Sequence, residues 1–424
     1  MLDSKLLREN PNIIESMLNK RGVNFPLDRL IGLDKKRRQL IVELQDSNHR
    51  KNMLAQLIAQ KKKESKNINP IDNELNEMKK LAVKISQLEK EQNETQIKYQ
   101  NLMMSIPNIL HDSVPVGSSE NENVVIRKYG KARTIAAPRD HIEIATSLEL
   151  IDLERAAKIS GARFYFLKNQ LVKLNQALLN FGLDYLSDSG YSFMQPPFMI
   201  RREAMEGAII LGDFEQVIYK IDGEDLYLIG TSEHAAVSMH MDEILDGKNL
   251  PLRYSCMSPC FRKEAGAHGR DMKGIFRVHQ FEKVEQVVFS RPEDSWKEHE
   301  KMLRLTEKFY EKLGLPFRTI LLCSADIGKV SAKTYDIEAW FPGQKNYREL
   351  VSCSNCLDYQ ARRLRTRFKD NVSDESRFVH TLNSTLVATE RTMVSIIENY
   401  QTDAGSIEIP QVLQKYMGDV REIK

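Results

Sequence analysis

The chain predicts an α+β protein: an N-terminal antiparallel helical hairpin of coiled-coil character, then a body that mixes helices and strands. Three observations carry this. Residues from about Asp28 to Ser65 and from about Asp72 to Met104 are long, polar and helix-favouring, parted by turn residues at Asn67–Pro70. From Val124 onward the composition becomes mixed, with aromatics and short apolar runs. Within that part, residues 261–285 and 336–356 each read as strand, connection and strand.

Residues 1 to about 26 predict a short helical cap ending near Gly22 and Pro26. In the second long segment Met78, Leu81, Ile85, Leu88, Gln92, Thr95, Tyr99 and Leu102 alternate steps of three and four, a heptad seam with two polar interruptions. Leu33, Leu40, Leu44, Leu54 and Ile58 offer a weaker seam in the first. One break between helices of similar length predicts an antiparallel hairpin with arms of ~50 Å at 1.5 Å per residue. From Lys35 to Lys66 ten basic residues stand against three acidic ones: Lys35, Lys36, Arg37, Arg38, Arg50, Lys51, Lys61, Lys62, Lys63 and Lys66. Such a face is either simply solvated or lies on RNA phosphates. The expected organisation is a helical arm over 1–110, a Ser/Asn/Pro-rich linker over 111–123 and a body over 124–424.

The body holds the residues that carry chemistry. Residues 261–285, FRKEAGAHGRDMKGIFRVHQFEKVE, place Arg262, Arg270 and Arg277 against Glu264, Glu282 and Glu285, with glycines holding the middle open. An arginine fork suits phosphate oxygens, being planar and always charged. On composition alone this hairpin also reads as a solvated edge. Residues 226–233, LYLIGTSE, predict a strand followed by Thr231, Ser232 and Glu233. A carboxylate there can hold an ammonium group, and a helix N-cap explains the hydroxyls equally well. Residues 336–356 predict an acidic strand, a Pro-Gly turn and a second strand bearing Glu349 and Ser352. Near the end, a strand leads into Asn383, Ser384 and Thr385, and a helix then carries Arg391 early. A long amphipathic helix ending near Ser187, with apolar Leu171, Leu174 and Leu178, precedes a short strand running into Pro196.

The whole composition limits the choices. A chain of 424 residues predicts two to three domains, and 41% hydrophobic with 29% charged residues describes a soluble globular protein. The net charge of +3 permits nucleic-acid binding only if basic residues cluster. MLDSKLLREN has no signal-peptide core and no run reaches membrane-spanning length, so no membrane is expected. Five cysteines predict no disulfide framework, which makes a reducing cytoplasm the expectation. Cys353 and Cys356 form a CxxC, yet no second pair completes a zinc site.

The phrase GIFRVHQFEKVE resembles motif 2 of class II aminoacyl-tRNA synthetases, specifically of the seryl-tRNA synthetase family. Residues 164–197 resemble motif 1, Thr231–Glu233 the family's Thr-x-Glu triplet, and the Asn383–Arg391 region motif 3. The basic arm resembles the one that grips the long variable arm of serine tRNA. The resemblance implies a body built on a six- to seven-stranded antiparallel sheet flanked by helices, and a homodimer. It implies ATP-dependent attachment of L-serine to serine tRNA through seryl-adenylate, with selenocysteine tRNA charged where a host has it.

The roles implied are specific. ATP would meet Arg262, Lys263, Glu264, Val278, Phe281, Glu349, Leu350, Val351, Ser352 and Arg391. In particular, Arg262 would hold the α-phosphate, Phe281 would stack on adenine and Arg391 would hold the γ-phosphate. Glu349 and Ser352 would hold Mg²⁺. Serine would meet Thr231, Ser232, Glu233, Arg262, Glu285, Asn383 and Thr385. No zinc is expected, since this looks like the ordinary type. The chain departs from the family where many members have Asn-Gly-Ser-Gly and a glycine before the arginine; here stand Asn-Ser-Thr-Leu and Glu390. The rivals are a paralogue acting as a binding or regulatory protein, and an enzyme loading a carrier protein.

Overall fold

Pro26 stands just before helix α1, Leu27–Glu64, and Asp28 puts a carboxylate in its first turn, where the helix dipole favours one. The structure, a computed structural model, describes residues 1–64, 72–133, 135–264 and 273–424. Helix α2 is Asp72–Ser105. The turn expected at Asn67–Pro70, and Lys66 with it, lie outside the described residues. Lys36 pairs with Glu91 and Lys61 with Glu74, so position rises along α1 as it falls along α2. The hairpin is therefore antiparallel, and 38 residues make α1 about 57 Å long.

The seam forms as the heptad steps require. Ile85, Leu88, Thr95 and Tyr99 are buried in α2, facing a row from α1 that includes Leu30, Leu40, Leu54 and Ile58. Asp34 is buried in this seam too, and Arg37 and Arg38 donate to its two oxygens. A buried carboxylate persists only when paired this way.

Close contacts divide the chain into two units. One comprises Asp3–Ser16 and Asn24–Ile106, the other Met1–Leu2, Met17–Val23 and Pro107–Lys424. Arg21 explains why Met17–Val23 belongs with the body: its guanidinium donates to the carbonyls of Asn108, Ile327, Gly328 and Ser331. The segment expected as a linker is likewise strapped onto the body. His111 N donates to Ala332 O at 3.0 Å, and Pro115 O accepts from Ser324 N at 2.8 Å. Satisfying buried backbone groups is what converts this Ser/Asn/Pro-rich stretch from tether to strap.

The body is built on eight strands: β1 Val124–Tyr129, β2 Ser192–Met194, β3 Leu252–Phe261, β4 Gln280–Ser290, β5 Phe317–Leu321, β6 Lys333–Phe341, β7 Asn346–Asn355 and β8 His380–Ala388. Their spatial order is β1-β5-β6-β7-β8-β4-β3-β2. All neighbours run antiparallel except β2 and β3, which run parallel. The sheet thus has eight strands where six to seven were expected.

Strand alternation then sorts the side chains. On β4, Val284 and Gln286 point towards helices α3 (Asn169–Ser187) and α5 (Ser295–Lys312), where Gln286 Nε2 donates to Thr306 Oγ1 at 2.8 Å. Leu382 and Leu386 of β8 join the same core with Leu174, Leu178, Phe309 and the buried face of helix α6, Thr389–Asn399. The opposite face of β4 carries Phe281, Lys283 and Glu285, then Val287 and Phe289. The last two pack into a second apolar core with Ala236, Leu364 and Phe368. That face is polar at one end and apolar at the other, and the functional cavity lies over the polar end.

Candidate active site

A cavity of about 1460 Å³ opens over the polar ends of β4, β6, β7 and β8 and the start of α6. Register brings its walls together. Thr385 lies opposite Glu285 across β8 and β4, and Asp336 lies opposite Ser352 across β6 and β7. Glu338 lies opposite Glu349 just past a bulge. The hairpin arms β3 and β4 deliver Arg262 and Phe281, with Arg262 Cζ 5.3 Å from the Phe281 ring centre. Beyond them Arg277 Nε donates to Glu264 Oε2 at 2.5 Å. The hairpin's glycine-rich tip, Arg270 included, lies outside the described residues.

One end of the cavity is a buried carboxylate and amide cluster. Helix α4, Ser232–Ser238, is capped by Thr231, whose hydroxyl accepts from Glu233 N at 3.3 Å. Glu233 Oε1 accepts from Asn383 Nδ2 at 3.0 Å and Gln360 Nε2 at 2.9 Å. Burial, with Glu285 nearby, raises the Glu233 carboxyl to about 7. Thr231 and Thr385 each place a hydroxyl 3.4 Å from Glu285 Oε2. Lys283 forms a buried ion pair with Glu285 and also donates to Thr231 Oγ1 at 2.6 Å. Together these groups can accept from an ammonium and pair with a small hydroxyl.

Cations mark the middle and the far end. Arg262 Nε donates to Gly230 O at 3.1 Å. Gly230 N in turn donates to His234 Nδ1 at 3.3 Å, and burial pushes that imidazole down to about 3, keeping it neutral. Arg391 lies on the Phe276 ring at 5.2 Å and reaches Glu349 through its carboxylate at 3.2 Å and its carbonyl at 3.1 Å. Arg391 foremost holds the Glu349 carboxyl below its ordinary value. Asp336 is the counterpart: burial, and then Glu349, raise it well above the carboxylate range, while Ser352 bonds its side chain. Its Oδ1 is buried, without a hydrogen-bond partner among the described residues. Two carboxyls with pKa values pushed apart, between two arginines, suit a polyanion and its cation.

Comparison with known proteins agrees with this arrangement. The family model described as the seryl-tRNA synthetase N-terminal domain matches residues 1–110. The class II tRNA synthetase core model for G, H, P, S and T matches 216–400. Serine--tRNA ligase of Nitrosopumilus maritimus is 57% identical over 424 residues, the full length of both chains. This chain belongs to the seryl-tRNA synthetase family. Among solved members, the Pyrococcus horikoshii seryl-tRNA synthetase complexed with ATP superposes with a TM-score of 0.93 at 46% identity, covering 100% of this chain and 99% of that one. The cytoplasmic serine-tRNA ligase of Naegleria fowleri in complex with AMP gives 0.87 at 37% identity, again covering 100% and 99%.

Within this seryl-tRNA synthetase fold, Thr231, Glu233, Arg262, Glu264, Val278, Phe281, Glu285, Glu349, Leu350, Ser352, Asn383, Thr385 and Arg391 all line the cavity. Three expected residues do not. Ser232 turns its hydroxyl to Cys256 O at 3.4 Å, because the residue after the cap enters the helix on another face. Lys263 points away, its Nζ 3.4 Å from Glu215 O and 5.8 Å from the Tyr219 ring. Val351 is fully buried in the apolar core. On the arm, Arg37 lies over the Tyr99 ring at 4.6 Å, in the hairpin rather than on its outer face. Arg38 and Arg50 are exposed but paired with Asp34 and Glu77.

Phe276 also builds the site, as do Lys283, Gln360 and Asp336, which were not singled out in the sequence. Strand alternation could have found Lys283, which shares a face with Phe281 and Glu285. Gln360 gave no local signal, since it reaches Glu233 from 127 residues away. The CxxC cysteines diverge: Cys353 Sγ sits 3.9 Å from His299 O, whereas Cys356 Sγ accepts from Asn383 Nδ2 at 3.7 Å.

Proposed function

We propose that this protein attaches L-serine to serine tRNA at the expense of ATP, through a seryl-adenylate. One observation carries the reading: a single cavity joins an ammonium- and hydroxyl-pairing cluster to two arginines, Arg262 and Arg391. Serine carboxylate oxygen attacks the α-phosphorus of ATP, the bond to the bridging oxygen breaks, and pyrophosphate leaves. The terminal ribose hydroxyl of the tRNA then attacks the seryl carbonyl, releasing AMP.

Neither step needs an elaborate acid or base; both need alignment and neutralised charge. Arg262 holds the serine carboxylate and the α-phosphate together. Arg391 neutralises the γ-phosphate from the start of α6. Phe281 carries adenine, with Glu264 near its amino group and Val278 beside it. Glu233 and Thr231 take the serine ammonium, while Glu285, Asn383 and Thr385 surround its hydroxyl. Lys283 holds Glu285 in place through their ion pair.

Among the described residues no three His, Cys, Asp or Glu side chains gather to hold an ion unaided. Glu349 and Ser352 offer hard oxygens, and Asp336 Oδ1, opposite Ser352 across β6 and β7, is buried without a partner among the described residues. These hard oxygens fit Mg²⁺, which Glu349 and Ser352 would hold together with ATP. Bound there, Mg²⁺ would neutralise phosphate charge.

The arm, residues 1–110, serves the tRNA, and residues 124–424 do the chemistry. Exposed Lys35, Lys51, Lys62 and Lys63 support the first assignment. A homodimer is proposed through the segment from α3 to β2, where the edge strand leaves Phe193 60% exposed. No helix among the described residues is long and apolar enough to cross a membrane, and the cytoplasm is the proposed site of action. The deciding experiment is ATP–pyrophosphate exchange with each amino acid in turn. Exchange driven by serine far above every other amino acid supports the reading, and exchange driven as well or better by another amino acid overturns it.

A further inference from the structure

Glu390 stands immediately before Arg391 in the first turn of α6, and it is 2% exposed. Its carboxylate is not the counter-ion of Arg391, which turns to Glu349 instead. Helical rotation separates the two side chains by roughly 100°. The Glu390 oxygens reach backwards. Oε2 accepts from the backbone N of Glu282 at 3.0 Å and from Thr389 Oγ1 at 2.9 Å. Oε1 accepts from the hydroxyl of Tyr165, which also lies 3.2 Å from the carbonyl oxygen of Gln280. Gln280 and Glu282 flank Phe281. The pair Tyr165 and Glu390 therefore grips the backbone on both sides of the aromatic ring proposed to carry adenine, and Glu390 stands one residue from the arginine proposed for the γ-phosphate.

We propose that Glu390 is a positioning residue for ATP. It fixes the distance between Phe281 and Arg391 by tying the β4 backbone to the first turn of α6, with Tyr165 as the second jaw. This assignment rests on the ATP-dependent reading above. Glutamine cannot replace Glu390 fully. An amide has one acceptor oxygen, and its NH₂ would face the Glu282 N–H or the Tyr165 hydroxyl.

The test is steady-state pyrophosphate exchange in the full-length protein, with ATP and serine varied separately, for wild type, Glu390→Gln and Tyr165→Phe. Wild-type exchange is measured first; if serine drives none, the functional reading fails and not this inference alone. With wild type active, Glu390→Gln should raise the KM for ATP roughly tenfold, as expected for a buried hydrogen bond lost, and leave that for serine within about twofold. Tyr165→Phe should move the ATP value in the same direction by less. A merely structural role would shift both KM values together or neither, and either result overturns the proposal. If Glu390→Gln does not fold, Tyr165→Phe decides by the same split.

Discussion

Asn383 Nδ2 lies 3.0 Å from Glu233 Oε1, an oxygen that Gln360 also reaches at 2.9 Å. Two neutral amides thus hold one oxygen of a carboxylate that lines the cavity. Asn383→Ala removes half of this support from a buried carboxylate. The expected result is a KM for serine raised roughly tenfold, in line with the cost of an unmade buried hydrogen bond, and an ATP KM that stays put. Pyrophosphate exchange with each substrate varied separately measures both.

The Glu233 carboxyl also predicts a pH dependence. Burial and then Glu285 raise it from 4.5 to about 7. Below that value the free site is protonated and must lose its proton to accept an ammonium. The KM for serine should therefore fall as pH rises from 6 to 8, and Glu233→Gln should flatten the profile while binding serine poorly. The stability sign follows. The folded state holds a proton that the unfolded chain releases near 4.5, so the cost of burying this carboxylate grows as pH rises through 4.5 to 7. Glu233→Gln should melt above wild type at pH 8, with the gain vanishing towards pH 4.5. Glu390 also titrates near 7, so only the difference between variant and wild type isolates Glu233.

Much of the architecture is written in local patterns. The heptad seam places α1 and α2 within a residue or two of their observed ends because periodicity is a local property. Glycine order and charge along 261–285 place Arg262 and Phe281. What stays hidden depends on contacts between distant segments. Gln360 meets Glu233 only after the chain folds, and Arg37 groups with the basic face by sequence although Tyr99 draws it inward. Ser232, Lys263 and Val351 stay out of the cavity lining for a simpler reason. Each is the sequence neighbour of a cavity residue, and in a strand or helix neighbours face different ways.

Substrate choice tests the hydroxyl end. Thr385 Oγ1 and Thr231 Oγ1 both lie 3.4 Å from Glu285 Oε2, a carboxylate only 2% exposed. A site that pairs a hydroxyl strongly rejects the analogue lacking it, since buried groups are left unpaired. Wild-type exchange with alanine should fall below that with serine by orders of magnitude. Thr385→Val should narrow the kcat/KM ratio of serine to alanine at least tenfold, mainly by weakening serine. An unchanged ratio would remove Thr385 from the hydroxyl site.

The arm offers a contrast between two kinds of basic residue. Lys62 and Lys63 are exposed at the end of α1, with no ion pair among the described residues. Arg37 is 22% exposed, bonded to Asp34 and stacked on Tyr99. Reversing both lysines to glutamate should leave tRNA-independent pyrophosphate exchange and Tm unchanged. Charging of serine tRNA should fall, and the log–log salt dependence of tRNA binding should flatten by roughly 0.7 to 0.9 for every phosphate the arm no longer neutralises. Arg37→Ala should do the reverse. It strips a partner from buried Asp34 and should lower the melting temperature of the hairpin, while the salt slope of tRNA binding holds. Normal charging by the double lysine variant across a salt series would show that this end of the helix is only a solvated face. A flattened slope in Arg37→Ala would mean that residue leaves the seam to reach phosphate.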